Sequence, residues 1–306
     1  MNRLLAIVGP TGVGKSQLAL RLAQTFDGEI VSADSRQVYR HMDIGTAKPA
    51  RQELSLVPHH LIDIVNPDEG FSLAQYQRLA YRAIDDIQQR NKLALLVGGS
   101  GLYVWAVLEG WGIPQVPPDL ELRHNLEKKA TEIGKDELYQ ELMKVDPVAA
   151  QRIDWRNVRR VIRAVEVHRG TETPFSQLQH KQAPPFNTLI IGLTADRAEL
   201  YRRIDLRVDE MIKQGLIEEV KKLVKMGYDF NLPAMSGIGY KQIGMFLKGE
   251  LTLAAAIQQI KYETHRFVRH QYTWFQLKDD RILWFDIQGK VESEITTLLT
   301  KFMRGE

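Results

Sequence analysis

The run Gly9-Pro10-Thr11-Gly12-Val13-Gly14-Lys15-Ser16 constrains this chain more than any other feature, because it fits the pattern G-x-x-x-x-G-K-[ST]. Its setting matters as much as its letters. An apolar run over residues 4–8 predicts a strand entering the motif, and a helix is predicted to leave it. A turn of this kind aims successive backbone N–H groups inward, and the helix N-terminus behind it adds a positive dipole, so a di- or triphosphate is the expected ligand. Lys15 is expected to neutralise phosphate oxygens and Ser16 to ligate Mg²⁺. The motif says what is gripped and leaves open which bond breaks. A kinase, a transferase that displaces pyrophosphate, or a site that binds ATP would all need the same stabilisation of phosphate charge.

The rest of the chain supports a sheet around this loop. Strands are predicted at 4–8, 29–33, 61–65 and 93–97, alternating with amphipathic segments, and Ser72-Leu73-Ala74-Gln75 reads as a capping box opening a helix toward Arg90. A breaker-rich stretch, Gly112-Ile113-Pro114-Gln115-Val116-Pro117-Pro118, then leads into helical periodicity without strand signal up to about Gly170. A second breaker stretch over 182–187 precedes a strand at 188–193, helices come next, and a late strand is predicted at 281–285 before a closing helix. The expected fold is α/β, a P-loop parallel sheet flanked by helices, with a smaller all-helical insertion domain. Core boundaries of 1–112 and 188–306 and an insertion over 113–187 are set by the breakers.

Composition excludes several classes. With 306 residues, 44% hydrophobic and 26% charged, the chain can build a sizeable core and is neither disordered nor fibrous. It has no cysteine, so disulfides, thiolate zinc sites and a cysteine nucleophile are out. No window approaches the roughly 18 apolar residues of a membrane span, and the N-terminal run is too short for a leader, so a cytoplasmic protein with no membrane partner is expected. A net charge of +3 permits a polyanionic partner without demanding one.

Strand two runs into Asp34-Ser35-Arg36-Gln37-Val38-Tyr39, which puts Asp34 at the same carboxyl edge of the sheet as the P-loop. Asp34 can cap the next helix or act as a general base. An adenine exocyclic amine is a poor nucleophile whose proton turns acidic as it attacks carbon, and a carboxylate suits that proton.

Several blocks in order along the chain make a specific resemblance. Asp34 to Tyr39, Met42-Asp43-Ile44-Gly45-Thr46-Ala47-Lys48-Pro49, Val57-Pro58-His59-His60-Leu61-Ile62-Asp63, Gly98-Gly99-Ser100-Gly101-Leu102-Tyr103 and Gly237-Ile238-Gly239-Tyr240-Lys241-Gln242 together resemble the bacterial tRNA dimethylallyltransferases, also called tRNA isopentenyltransferases. The resemblance implies that the P-loop residues Gly9 to Ser16 hold dimethylallyl pyrophosphate. It further implies transfer of the dimethylallyl group to the N6 amine of adenosine 37, in the anticodon loop of tRNA, with release of pyrophosphate. By the same resemblance Asp34 maps to the catalytic base, and Ser35, Arg36 and Gln37 map to contacts with the target nucleotide. Ser100 stands where most members carry threonine and keeps the hydroxyl, with a catalytic and tRNA-binding role implied. Arg207 aligns with the arginine that grips the leaving pyrophosphate, although a helix-surface charge near Asp205 and Asp209 is the alternative.

The segment Asn157 to Val165 puts Arg159, Arg160 and Arg163 on one helix face and Val158, Val161, Ile162 and Val165 on the other. A solvated face is the plain reading, while the resemblance aligns Arg159, Arg160, Val161, Ile162 and Arg163 with a tRNA-contacting stretch and Arg123 with another contact. The mixed stretch Arg266 to Phe275 reads as core packing more readily than as a stacking surface. The adjacent His59 and His60 point to opposite faces of a strand, which argues against a shared metal. A monomer is expected. Two rivals remain at this point, a small-molecule or nucleotide kinase and a non-catalytic RNA-binding module.

Overall fold

The computed structural model describes residues 2–178, 180–182, 184, 186–289 and 291–306. β1 (Arg3–Val8) enters the glycine-rich loop and α1 (Lys15–Thr25) leaves it. The chain continues through β2 (Gly28–Ser32), α2 (Arg51–Leu56), β3 (His59–His60), α3 (Leu73–Gln89), β4 (Leu93–Val97) and α4 (Gly101–Leu108). Next come α5 (Leu120–Glu132), α6 (Lys135–Val145), α7 (Pro147–Arg152), α8 (Val158–Thr171) and α9 (Phe175–Leu178). The sheet resumes with β5 (Asn187–Thr194), followed by α10 (Arg197–Lys213), α11 (Leu216–Lys225), α12 (Tyr240–Leu247), α13 (Leu253–Trp274), β6 (Leu283–Asp286) and α14 (Val291–Arg304).

The six strands form one sheet in the order β3-β2-β4-β1-β5-β6, with every pairing parallel. β2 and β4 are buried along their whole length, and β4 accordingly reads as an unbroken apolar run, whereas β2 buries Glu29 and Ser32 between its apolar residues. The carboxyl ends of β1, β2 and β4 therefore share one edge, where ligands bind in open parallel sheets. The capping box of α3 is present: Ser72 Oγ accepts from the Gln75 N–H, and the Ser72 N–H donates to Gln75 Oε1. Among the described residues no helix is long and apolar enough to cross a membrane.

One strand prediction fails. The expected strand at 61–65 is replaced by the two-residue β3, because Leu61 (φ 64) and Asp63 (φ 57) take left-handed backbone that a pleated strand excludes. The segment instead bonds to the turn after β2, with the Asp63 and Ile64 amides donating to the carbonyls of Gln37 and Val38. His59 and His60 part company as their alternation requires: His60 Nε2 meets Glu29 Oε2 at 2.8 Å and His59 Nδ1 meets the Val57 carbonyl at 2.8 Å.

The chain forms two compact units, Met1–Leu108 with Pro185–Glu306, and Glu109–Pro184. The second unit packs α5, α6, α7 and α8 around Leu126, Leu138, Leu142, Ile153, Val161 and Ile162. Its ends are tied by the Gly112 N–H donating to the His180 carbonyl and the Gln182 N–H donating to the Gly110 carbonyl, and the unit starts and ends a few residues earlier than the expected 113–187. In the breaker stretch over 182–187, Ala183 and Pro185 lie outside the described residues.

Candidate functional site

A cavity of about 640 Å³ opens at the carboxyl edge of the sheet, in the larger unit. The phosphate loop forms one wall of it. Gly12 (φ 87) and Gly14 (φ 96) occupy left-handed backbone that lets the loop wrap, and Gly14 is the N-cap of α1. Val13 is buried and anchors the loop from behind, while Lys15 and Ser16 begin the helix at the cavity. Lys15 Nζ donates to the Pro10 carbonyl at 2.8 Å. Not every loop amide is available to a ligand: Pro10 has none, and the Thr11 N–H donates to Gln271 Oε1 at 2.8 Å. Gln271 Nε2 in turn donates to the Gly99 carbonyl at 2.9 Å, so one buried glutamine on α13 joins the loops after β1 and β4.

Asp34 lies across the cavity from Lys15, at the end of β2. Both readings of this residue find support in its two oxygens. Oδ1 caps the turn beyond it, accepting from the Arg36 N–H at 2.8 Å and the Gln37 N–H at 3.4 Å. Oδ2 has no hydrogen-bond partner among the described residues, and the side chain lines the cavity. β2 and β4 approach each other closely here, because a Cβ on Gly98 would collide with the Ala33 carbonyl; only glycine permits the turn that delivers Ser100. Ser100 Oγ accepts from the Ser35 N–H at 3.0 Å and donates to Ser35 Oγ at 3.3 Å. Arg36 reaches the turn before α12, donating to the Pro233 carbonyl at 2.8 Å. Ser32 Oγ donates to Gln37 Oε1 at 3.0 Å. Ser35 and Ser100 thus hold each other, Arg36 and Gln37 hold Asp34 through their amides, and all four line the cavity.

Arg207 on α10 also lines the cavity, and its neighbours decide between its two readings. Asp205 meets His265 at 2.9 Å and Asp209 meets Lys261 at 2.7 Å, so neither acid is taken up by Arg207. Arg207 makes no hydrogen bond among the described residues, and burial lowers its pKa, with Asp34 opposing. A desolvated guanidinium without a partner is a site for an anion. Ile204, Val208, Met211, Ile238 and Phe267 present an apolar wall to the same cavity, with Ile204 packed next to Gly12 of the loop.

Burial lowers the Lys15 pKa from 10.5 to about 7, with Arg207 pushing the same way and Asp34 opposing. Between those values the unfolded chain holds a proton that the folded site has released, so the free protein gains stability as pH rises through the window. A bound diphosphate reverses that preference by stabilising the ammonium. Affinity for a diphosphate ligand is therefore expected to fall up to about tenfold per pH unit above a pH of about 7, with proton uptake on binding. Titration calorimetry in two buffers of different protonation enthalpy reads both, and Lys15→Arg, charged throughout, should flatten the profile. A pH-independent affinity for the unaltered protein would sink the assignment.

The helical unit carries the other expected site residues. Arg159 and Arg160 are exposed on α8. Arg123 Nε and Nη2 donate to the two oxygens of Glu166 at 2.8 Å each, and Arg163 Nη1 reaches the same carboxylate at 2.6 Å. Burial raises the pKa of Glu166, but the bonds from Arg123 and Arg163 outweigh it and the net shift is downward. Val161 and Ile162 depart from expectation: they are 1% and 3% exposed in the core of the unit, because the 3.6-residue period turns them away from the arginine face.

Sequence reasoning named no role for Gln271, for Tyr240, which stood only in a resembling block and lines the cavity, or for Glu219, which accepts from the Tyr240 hydroxyl. A lone amide inside the aromatic stretch of α13 was a usable signal for the first. For Glu219, in the ordinary amphipathic run of α11, there was none. The stretch Arg266 to Phe275 divides its roles: Val268 and Phe275 are buried as core, whereas Phe267 is 39% exposed and lines the cavity.

The IPP transferase family profile matches residues 37–278. A tRNA dimethylallyltransferase of Dehalococcoides mccartyi is 50% identical over 300 residues, covering 98% of this chain and 92% of that protein. Among solved structures, the full-length tRNA isopentenylpyrophosphate transferase of Bacillus halodurans superposes with a TM-score of 0.72 at 42% identity, covering 100% of this chain and 96% of the other. A eukaryotic dimethylallyltransferase, described as acting on tRNA, superposes with a TM-score of 0.85 at 26% identity, covering 100% of this chain and 80% of the other.

Proposed function

This chain belongs to the IPP transferase family, and from that premise we propose that it transfers the dimethylallyl group of dimethylallyl pyrophosphate to the N6 amine of adenosine 37 in the tRNA anticodon loop. The single observation that carries this reading is the convergence of a phosphate loop, a partnerless arginine and a carboxylate with one free oxygen on one cavity. Family membership sets the kinase and the non-catalytic RNA-binding readings aside.

In the reaction the C–O bond to the diphosphate breaks as the N6–C bond forms. The carboxylate of Asp34 takes the proton from the amine, and the diphosphate leaves with the electron pair of the C–O bond. Lys15, Arg207 and the available loop amides offset the charge that grows on the leaving oxygens. The apolar wall formed by Ile204, Val208, Met211, Ile238 and Phe267 suits the prenyl group and keeps water from competing for it. An adenine enters such a cavity by leaving its stack.

Magnesium suits the residues at hand. Ser16 offers an exposed hydroxyl at the cavity, while among the described residues no group of three or more acids, histidines or cysteines could hold a metal without further ligands. Oxygen donors that few are what Mg²⁺ accepts when phosphate and water complete its shell, and Ser16 would hold it against the diphosphate. When bound, the ion supplies further neutralisation of leaving-group charge.

The direct test incubates the protein with Mg²⁺, dimethylallyl pyrophosphate and unmodified tRNA, and weighs the released nucleosides. Prenyladenosine is the expected product; hydrolysis of ATP with no prenylated base would defeat the reading. For the helical unit we expect Arg159 and Arg160 to contact phosphates. Replacing both with alanine should weaken tRNA binding and reduce the slope of log K against log salt by about 1 to 2, leaving the KM for dimethylallyl pyrophosphate unchanged. Fluorescence titration across a salt series measures this, and an unchanged slope removes both residues from the interface.

A further inference from the structure

Glu219 on α11 ends in a carboxylate that accepts from three successive backbone amides. Oε2 accepts from the Asp43 N–H at 2.9 Å and the Ile44 N–H at 2.8 Å, and Oε1 accepts from the Gly45 N–H at 3.2 Å. Oε1 also accepts from the Tyr240 hydroxyl at 2.6 Å. Consecutive amides of this kind form a concave nest for an anion. Here the anion is a side chain of the same chain, arriving from a helix 174 residues further along.

The loop so held is part of the site. Gly45, Thr46, Ala47 and Tyr240 line the cavity, and a Cβ on Gly45 would run into the Tyr240 ring, so loop and ring meet with no side chain between them. The carbonyls of Thr46 and Ala47 accept from Gln37 Nε2 at 3.3 and 3.2 Å. Gln37, with its Oε1 held by Ser32 and its own N–H on Asp34 Oδ1, completes a chain of contacts from Glu219 to the carboxylate that faces the incoming base. No hydrogen bond of Glu219 reaches the phosphate loop. The carboxylate therefore anchors the 43–47 loop and, through Gln37, the turn that carries Asp34.

We propose that Glu219 is a positioning residue for the acceptor nucleotide, fixing the 43–47 loop and through it Gln37 beside Asp34. The proposal rests on the functional reading above. Gln is nearly isosteric with Glu, but it has one carbonyl oxygen to serve amides that two oxygens served, and its NH₂ turns a donor toward a donor. In Glu219→Gln, hydrogen exchange of the Asp43, Ile44 and Gly45 amides should accelerate by about tenfold or more, with the amides of the phosphate loop unchanged. The kcat/KM for tRNA should fall by about tenfold or more, while the KM for dimethylallyl pyrophosphate stays within about twofold. Tyr240→Phe, which removes one bond and leaves the three amide bonds, should show the same split at smaller size and covers the case in which the glutamine variant folds poorly. A merely structural glutamate would raise both KM values together as the protein loosened. Unchanged exchange at residues 43–45, unchanged kcat/KM for tRNA in an active protein, or parallel loss toward both substrates each overturns the proposal. If the unaltered chain prenylates no tRNA, the functional reading fails instead, and the exchange data still decide whether Glu219 holds the loop.

Discussion

Replacing Asp34 with alanine is expected to slow prenyl transfer by about 10²- to 10⁴-fold, the range for losing a positioned general base, while dimethylallyl pyrophosphate binds at least as well as before. Affinity should hold or improve because Asp34 lies close enough to Lys15 and Arg207 to offset part of their positive charge. Without the carboxylate, those two cations have only the diphosphate to serve. The structure also separates the two duties of Asp34. Alanine removes both the proton acceptor and the cap on the turn, whereas Asp34→Asn keeps an oxygen for the Arg36 and Gln37 amides and removes only the base. Single-turnover rates at saturating tRNA, read by nucleoside mass, should be nearly as low for asparagine as for alanine. An asparagine variant that retains a tenth or more of the original rate would mean that the proton leaves by another route.

The second large effect belongs to Arg207. Arg207→Ala should lower kcat by about 10²- to 10³-fold, equivalent to about 3 or 4 kcal/mol of transition-state stabilisation, because a fixed cation at the leaving oxygens acts mainly where charge develops. The same substitution should raise the melting temperature of the ligand-free protein. A part-buried guanidinium that has no hydrogen bond and stands near the Lys15 ammonium opposes folding until an anion arrives, so function and stability trade against each other at this position. Calorimetric scans with and without pyrophosphate test both halves: the variant should start higher and gain less on ligand addition. A lower melting temperature without ligand would show that Arg207 is a structural cation, and full activity would remove it from the site.

Much of this architecture was legible from the chain alone, and the reasons differ from place to place. β4 at Leu93–Val97 was read residue for residue, since an apolar run between turn signals has few other fates in a covered parallel sheet. The glycine-rich loop between β1 and α1 was legible because its glycines, lysine and serine lie within eight consecutive residues. The strand expected at 61–65 was misread because two residues there adopt positive φ to satisfy the turn after β2, a tertiary demand with no local trace. Val161 and Ile162 show the reverse case. Their helical period already turned them inward, and the family resemblance, which marks a stretch and not a face, drew them into the interface.

What the sequence determined by itself is therefore the contiguous part: a parallel sheet with a glycine-rich loop after its first strand, a helical unit between its strands, and Asp34 at the carboxyl edge. Packing decided the rest. It freed Arg207 from its acidic neighbours by giving those to His265 and Lys261, and it brought Gln271 onto an amide 260 residues earlier. It also set Glu219 under the loop at Gly45. Such contacts join residues whose spacing along the chain carries no period or pattern, so only the folded backbone, which fixes distances between remote segments, can reveal them.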